Sequence, residues 1–556
     1  MARQFPRYLF LLTLLSIWLM LGCQSHTEAG EGIVFRYNEP SNISSLDPAF
    51  SRDQAHSWLS RQLFSTLVKS DSLLQPVADL ATEWAVSEDG LRWTFTLRSD
   101  AFFHEDPCFP SGKGRRVQPE DVIFSLERLK DPHTASPGAW VLENVAQLCT
   151  TAAGQVQIQL HLADAAFLGR LAMPYCGILP AEALAYYGQD FSSHPVGSGP
   201  FYLKAWARQE KLVMRKHPRY FGRDQQGNKL PYLEAVSVRF IPDRQAAFLE
   251  FVKGNLDFVS GVDASYKDQL FTQDGLLQTR WQKEFHLQKT PFLNTEFLGI
   301  RQHNPQPAYL GDLRVRRALN YAIDRKSMMR YLKNTIGIPG YGGILPAGMP
   351  GFQSKERWEA RAANPWEFDL EKARAELQEA GILDAQGHAS PDLEPIVIST
   401  TASYRDICEY IQSAWGRLGL PVQVNVMPSA AFREDKSQGR LAVYRASWIA
   451  DYPAASNYFM LFESGYAAPN GPNASQVASA EYDALVGALA EQERKGNGEE
   501  AAFEIDRWLH NQALFVPLFY DESVRVFRKE WVGIDAHPMN ILDLSQVRRR
   551  IEPFPK

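Results

Sequence analysis

From residue 33 onward the apolar residues keep switching between two spacings, and this constrains the fold more than any other feature. Ile33-Val34-Phe35-Arg36-Tyr37 reads as a strand, and Ser45-Leu46-Asp47-Pro48 as a turn. Residues 54–68 carry Trp58, Leu59, Leu63, Phe64 and Leu67 at helical spacing. After the turn Ser87-Glu88-Asp89-Gly90, Trp93, Phe95 and Leu97 alternate with polar partners as in a half-buried strand. Pro119-Glu120-Asp121 opens a helix that carries Val122, Phe124, Leu126 and Leu129. The same patterns predict helices over 314–323, 370–380 and 407–418, and strands over 235–241, 395–399 and 422–426. Gly337 to Gly343 reads as a loop, and there is no fixed-period repeat. Helices and strands alternate throughout, so the class is α/β. With 45% hydrophobic residues in 556, the chain can bury a large core and is not wholly disordered. Its length suggests roughly three or four lobes.

The N-terminus has a different character. Arg3 and Arg7 precede an almost wholly apolar run from Leu9 to Leu21, the layout of a secretory signal. The run ends at Gly22-Cys23, followed by polar Gln24-Ser25-His26-Thr27. This ending resembles a bacterial lipobox. The resemblance implies cleavage before Cys23, diacylglycerol on its thiol, and a chain tethered to a membrane outside the cytoplasm. No later segment is long enough to span a bilayer. A net charge of −6 argues against a nucleic-acid partner, which needs a concentrated basic surface. Cys108, Cys149, Cys176 and Cys408 show no CxxC pair. A bridge within the first three and four free thiols are both open.

Catalytic motifs are weak. His104-Glu105 lacks a second histidine four positions on, so the zinc-protease helix is absent. Gly197-Ser198-Gly199 is flanked by Val196 and Pro200, where a nucleophile elbow needs glycines. The 12 histidines form no cluster with metal-ligand spacing. The chain therefore reads as a non-enzyme, with no catalytic residue, metal or cofactor assigned.

Seven segments, in order, resemble the extracytoplasmic solute-binding proteins of peptide and nickel ABC importers (family 5, the oligopeptide-binding-protein type). They are Ser45-Leu46-Asp47-Pro48-Ala49; Leu80-Ala81-Thr82-Glu83-Trp84; Ser87 to Arg98, read SEDGLRWTFTLR; Pro119 to Arg128; Pro195 to Phe201, read PVGSGPF; Lys253-Gly254-Asn255-Leu256-Asp257; and Asp312 to Asp324. The resemblance covers essentially the whole chain after Cys23. It implies a large three-lobed periplasmic-binding-protein fold, with two main α/β lobes joined by a hinge and a smaller extra lobe. In these terms residues 1–22 are a lipoprotein signal peptide and 23–32 a tether. Lobe I is built from 33–75, 195–292 and 513–556, the small lobe II from 76–194, and the ligand-closing lobe III from 293–512. The implied function is capture of di- or oligopeptides between lobes and delivery, as a monomer, to an ABC permease.

The segment Val443-Tyr444-Arg445-Ala446-Ser447-Trp448-Ile449-Ala450-Asp451-Tyr452 resembles the ligand-contacting strand and turn of oligopeptide-binding members. The resemblance implies that Asp451 meets a peptide's α-ammonium and that Arg445 can serve its carboxylate. Backbone groups around Ser447 and Ile449 would pair with the peptide, with Trp448 and Tyr452 beside it. The chemistry is sound on its own terms, because a buried ammonium needs a carboxylate and Arg matches a carboxylate with two parallel bonds. Some oligopeptide binders carry a cysteine where this chain has Ile449, so a bridge there cannot form. Trp93, Phe95 and Leu97 read as core, and Arg314, Arg316 and Arg317 as a solvated or ion-paired helix face. Two rivals remain open: the same fold with a nickel chelate, haem or oligosaccharide as cargo, and an extracytoplasmic hydrolase. The 108–116 segment is an apparent insertion.

Overall fold

In the computed structural model, the described residues are 33–550 apart from 264 and 362–363. The signal run, Cys23 and the tether lie outside them.

An eleven-stranded sheet runs through the molecule. Its path is Val422–Val426, Ile396–Thr400, Val443–Ile449, Phe285–Ile300, Phe515–Arg528, Phe258–Ser260, Val34–Asn38, Ala235–Arg239, Lys211–Lys216 and Phe201–Ala207, with Ile338–Pro339 added on Phe515–Arg528. Two strands of 16 and 14 residues, Phe285–Ile300 and Phe515–Arg528, lie antiparallel in the middle. Each is long enough to belong to both halves of the sheet. Their pairing breaks register between Pro291 and Thr295, a bulge where the sheet bends. A second sheet of four antiparallel strands, ordered Ala81–Val86, Arg92–Leu97, Val156–Leu160 and Val145–Thr150, stands apart from the first.

The sequence patterns explain these elements. Pro119 takes the first helical position of Pro119–Lys130, and Asp121 accepts the backbone N–H of Gln118 at 2.8 Å. Trp93 and Phe95 are buried in one cluster with Val122, Leu126, Phe35 and Trp58, which joins the small sheet to the first half of the large one. A second cluster gathers Leu298, Leu319, Trp415 and Leu518, and a third gathers Leu293, Phe297, Tyr458 and Leu509.

Several expectations are sharpened or corrected. The helix expected over 54–68 stops at Leu63, because Phe64 is already extended and Asp79 accepts the N–H of Thr66 at 2.9 Å. The chain then enters the short strand Val68–Ser70. Ser198 is fully buried, and a Cβ on Gly197 or Gly199 would strike the carbonyls of Leu63 and Gln62. The segment is a close backbone crossing. His104 and His217 both point at the Gly199 carbonyl, at 3.1 and 3.2 Å. Arg316 is not solvated, and among the described residues it has no ion pair: it is buried and donates to the carbonyls of Leu310, Gly311, Gln512 and Ala513. Arg115, in the inserted segment, pairs with both Asp121 and Glu182, so the insertion is pinned to two helices. Cys108, Cys149, Cys176 and Cys408 are free thiols.

Candidate functional site

The strand Val443–Ile449 pairs with Asn294–Ile300 along its whole length. Its other edge pairs with Ile396–Thr400 only at Val443 and Tyr444. From Arg445 to Ile449 that edge has no partner among the described ladders. Side-chain cover thins in the same direction: Val443 to Ala446 are buried, Ser447 and Trp448 half-buried, and Ile449 is 53% exposed. A free edge beside exposed side chains is what strand addition requires.

Beyond Ile449 the chain turns, held by the bond from Ala450 N to Leu293 O at 2.9 Å. Asn457, 1% exposed, organises the turn. Its side-chain oxygen accepts the indole N–H of Trp448 at 3.0 Å and the backbone N–H of Asp451 at 3.2 Å, and its amide donates to Asp451 Oδ2 at 3.4 Å. Asp451 keeps solvent access, yet the protein around it raises its carboxyl above the ordinary value, with the Asn457 bond working the other way. Among the described residues no Lys, Arg or His forms an ion pair with it. Across from the turn stands Tyr175, whose hydroxyl is pushed up to about 12 by burial and then by the charges of Asp451 and Asp53. Next in the chain is Tyr452. It is buried against Trp140, with ring centroids 6.2 Å apart, and under Arg170.

Arg445 is 8% exposed. Its guanidinium is ion-paired with Glu296 and stacked on the Tyr404 ring at 3.1 Å. Burial raises the Glu296 carboxyl, against the pull of Arg445, and Asp521 adds to the rise. Asn294 donates to Glu296 at 3.1 Å and to Asp521 at 3.3 Å, and Lys333 stands 3.6 Å from Asp521. A polar chain thus leads from Arg445 in the interior to Lys333 and Asp521 on a chamber wall.

That chamber holds about 430 Å³, within the range of small-molecule sites. It lies between the end of the Val34–Asn38 strand, the start of the Gln54–Leu63 helix, and the two long central strands. Its charged residues are Glu39, Asp53, Asp521 and Glu522 against Arg244 and Lys333, so the acids predominate. Burial raises Glu39. Burial also works on Asp53, but the bonds from His56 outweigh it and the net shift is downward.

The chain residues 75–470 match the model of the bacterial extracellular solute-binding proteins, family 5 middle region. The chain belongs to this family. It is 25% identical over 523 residues to the periplasmic oligopeptide-binding protein OppA of Salmonella typhimurium, covering 89% of this chain and 88% of that protein. The fold matches the periplasmic binding protein DppA of Helicobacter pylori, solved with the peptide STSA, at a TM-score of 0.73 and 23% identity, over 93% of this chain and 98% of that one. It also matches NikZ of Campylobacter jejuni, solved with Ni(L-His), at a TM-score of 0.68 and 21% identity, over 91% and 96%. Family and fold are those of binding proteins. No described helix is long and apolar enough to cross a membrane.

The sequence singles out Asp451, Trp448 and their strand, and the structure sets Asn457 against both. The sequence does not single out Asn457, Tyr175, Asp53 or the chamber wall with Lys333 and Asp521. Asn457 alone carried a signal, a polar residue set directly before the apolar run Tyr458-Phe459. The others reach the site only through the tertiary fold.

Proposed function

We propose that this family 5 solute-binding protein captures peptides and hands them to an ABC permease. The observation that carries the reading is Asp451, a carboxylate raised by burial, bonded by Asn457 and with no ion-paired cation among the described residues. A peptide α-ammonium supplies that missing charge. The free edge from Arg445 to Ile449 offers backbone bonds that any peptide sequence can use. Because Arg445 is engaged by Glu296, Lys333 and Arg244 are the cations the chamber presents to a peptide carboxylate. Arg445 then serves by holding the strand and its polar chain in position. In this reading the described residues of 33–75, 195–292 and 513–550 belong to one lobe and those of 293–512 to the lobe that closes on the ligand, with the bend at Pro291–Thr295 as hinge.

The test is native mass spectrometry on the chain beginning after Cys23, with and without Asp451→Ala. A ladder of bound masses resolving into peptides, thinned in the variant, supports the reading. A single mass of a metal chelate, haem or sugar, unchanged in the variant, overturns it. In the full chain, Cys23 is proposed as the lipid anchor, with the folded portion outside the cytoplasm as a monomer. Detergent-phase partitioning that survives Cys23→Ala removes that part of the proposal.

A further inference from the structure

The chain enters the described fold at Ile33, at the start of the Val34–Asn38 strand. With Cys23 as the lipid anchor, residues 23–32 alone separate that point from the bilayer. Fully extended, this tether reaches at most about 35 Å. A chain of this size folds to a body about 60 Å across. The far side of the protein thus lies beyond the tether's reach, and the surface around Ile33 is held near the membrane.

Three parts of the chain meet there. Ile33 O accepts the N–H of Glu234 at 3.0 Å, and Val34 pairs with Ala235, which pairs in turn with Arg215. Tyr232 donates its N–H to Ser545 O at 3.2 Å, and the Arg548 guanidinium lies 5.0 Å from the Tyr232 ring. Arg548 and Arg549 form a short ladder with Val532 and Trp531. The Trp531 ring meets Phe35 edge-on, with centroids 5.1 Å apart.

The charges on this face do not cancel. Asp257 holds Arg36 at 2.9 Å, Glu530 holds Arg549 at 2.8 Å, Glu234 holds Lys216 at 3.3 Å, and Glu284 stands 3.9 Å from Arg528. Asp224 is engaged by the Tyr232 hydroxyl and by Asn228. Arg215, Lys529, Arg548 and Arg550 are exposed and form no ion pair among the described residues. The face is therefore positive on a chain whose net charge is −6. Ile33 and Val34, 37% and 40% exposed, set apolar side chains among these cations. The tether itself carries Glu28 and Glu31, so the positive charge belongs to the folded surface.

A second copy of the chain would meet this face with the same sign of charge. Cations interspersed with apolar side chains fit the headgroup layer of an anionic bilayer. A short tether also raises the effective concentration of that surface, so a weak attraction suffices. We propose that the face around Ile33, with Arg215, Lys529, Arg548 and Arg550, docks on the anionic phospholipid headgroups of the bilayer that holds the tether. The inference rests on the Cys23 reading for its tether.

The test uses the chain beginning after Cys23, which keeps every described residue and carries no lipid. Flotation with mixed phosphatidylglycerol–phosphatidylcholine vesicles at low salt should recover roughly tenfold more protein than flotation with phosphatidylcholine alone. Salt at about 0.5 M should remove the difference. Arg215→Gln, Lys529→Gln and Arg548→Gln combined should cut recovery roughly fivefold or more, with urea midpoint and peptide affinity unchanged. Lys529→Gln alone, at an exposed position, should lower recovery about twofold and serves if the combined variant fails to fold. Neutralising Lys113, Lys326 and Arg417 instead, exposed cations on elements outside this face, should change nothing. Equal recovery on the two kinds of vesicle overturns the proposal, as do variants that float like the wild type or equal losses from both sets of substitutions. A dimer found without vesicles and lost in the combined variant would give the face to a second copy and overturn it too. No lipidated residue takes part, so failure here strikes the docking face and leaves Cys23 to the detergent-phase assay.

Discussion

Arg170 lays its guanidinium over the ring of Tyr452, 5.0 Å from the centroid, and so joins the body on the small sheet to the turn that carries Asp451. Asp164 stands 3.5 Å from the same guanidinium, and Gly169 faces Pro453 closely enough that an added Cβ would sit 3.2 Å from its ring. The contact exists only while the two bodies are together, so it favours a closed molecule. A partly desolvated cation–ring contact contributes about 1 kcal/mol. Arg170→Ala and Tyr452→Ala should each weaken peptide binding by roughly fivefold and enlarge the ligand-free protein in solution scattering. Unchanged scattering together with unchanged affinity would show that the contact does not bias closure.

Asp451 makes a prediction with two signs. In the proposed peptide complex it would neutralise an ammonium, and removing one partner of such a pair costs about 2–5 kcal/mol. In the free protein it is a carboxylate disfavoured by its surroundings. Asp451→Asn should therefore reduce peptide affinity by roughly thirtyfold or more while leaving the ligand-free protein as stable or more stable. Calorimetric titration and thermal unfolding read the two effects separately. A variant that loses both stability and binding would mark Asp451 as a structural turn residue.

The same carboxylate sets a pH dependence. Its value is raised in the free protein, and an ammonium bound beside it lowers it again. The complex thus holds fewer protons than the free protein between those two values. Affinity should be full above the raised value and fall as pH drops through it, with proton release on binding inside the window. Asp451→Asn should flatten that part of the profile. An equal slope in the variant would assign the titration to another group, such as Glu39.

The fold was legible where local pattern and burial agree. The 3.6 spacing at Ile407, Ile411, Ala414 and Trp415 gave the helix found at Arg405–Gly416, all four residues being buried. The helix at 54–63 was overdrawn because Phe64 and Leu67 continue the apolar spacing although they serve extended chain. Arg316 was misjudged because a charged residue in an amphipathic helix ordinarily faces water. Here carbonyls at 310–311 and 512–513, distant in sequence from one another, turn it inward. The site divides in the same way. Asp451 and Trp448 lie on one strand and turn, whereas Tyr175 and Lys333 are more than 100 residues away in the chain.

A last prediction concerns Asp506, which holds the backbone directly after the Gly337–Gly343 segment. It is fully enclosed and accepts the N–H groups of Ile344, at 2.5 Å, and Leu345, at 3.4 Å. Gly343 passes so near that a Cβ would collide with its carboxylate, so Gly343→Ala should prevent normal folding. No cation pairs with Asp506 among the described residues, and burial pushes it up to about 7 from an ordinary value of 3.8. Between those values the folded state binds more protons than the unfolded one, so stability falls as pH rises. The contribution is fully present below the lower value and lost above the upper one, and amounts to at most roughly 4 kcal/mol. Asp506→Asn cannot titrate, and it replaces one acceptor oxygen by a donor facing backbone N–H groups. It should be clearly less stable than the wild type at pH 5 and draw level near pH 8, read as converging urea midpoints. Midpoints that stay a constant distance apart from pH 5 to 8 would show that Asp506 remains ionised throughout and that its two backbone bonds outweigh its burial.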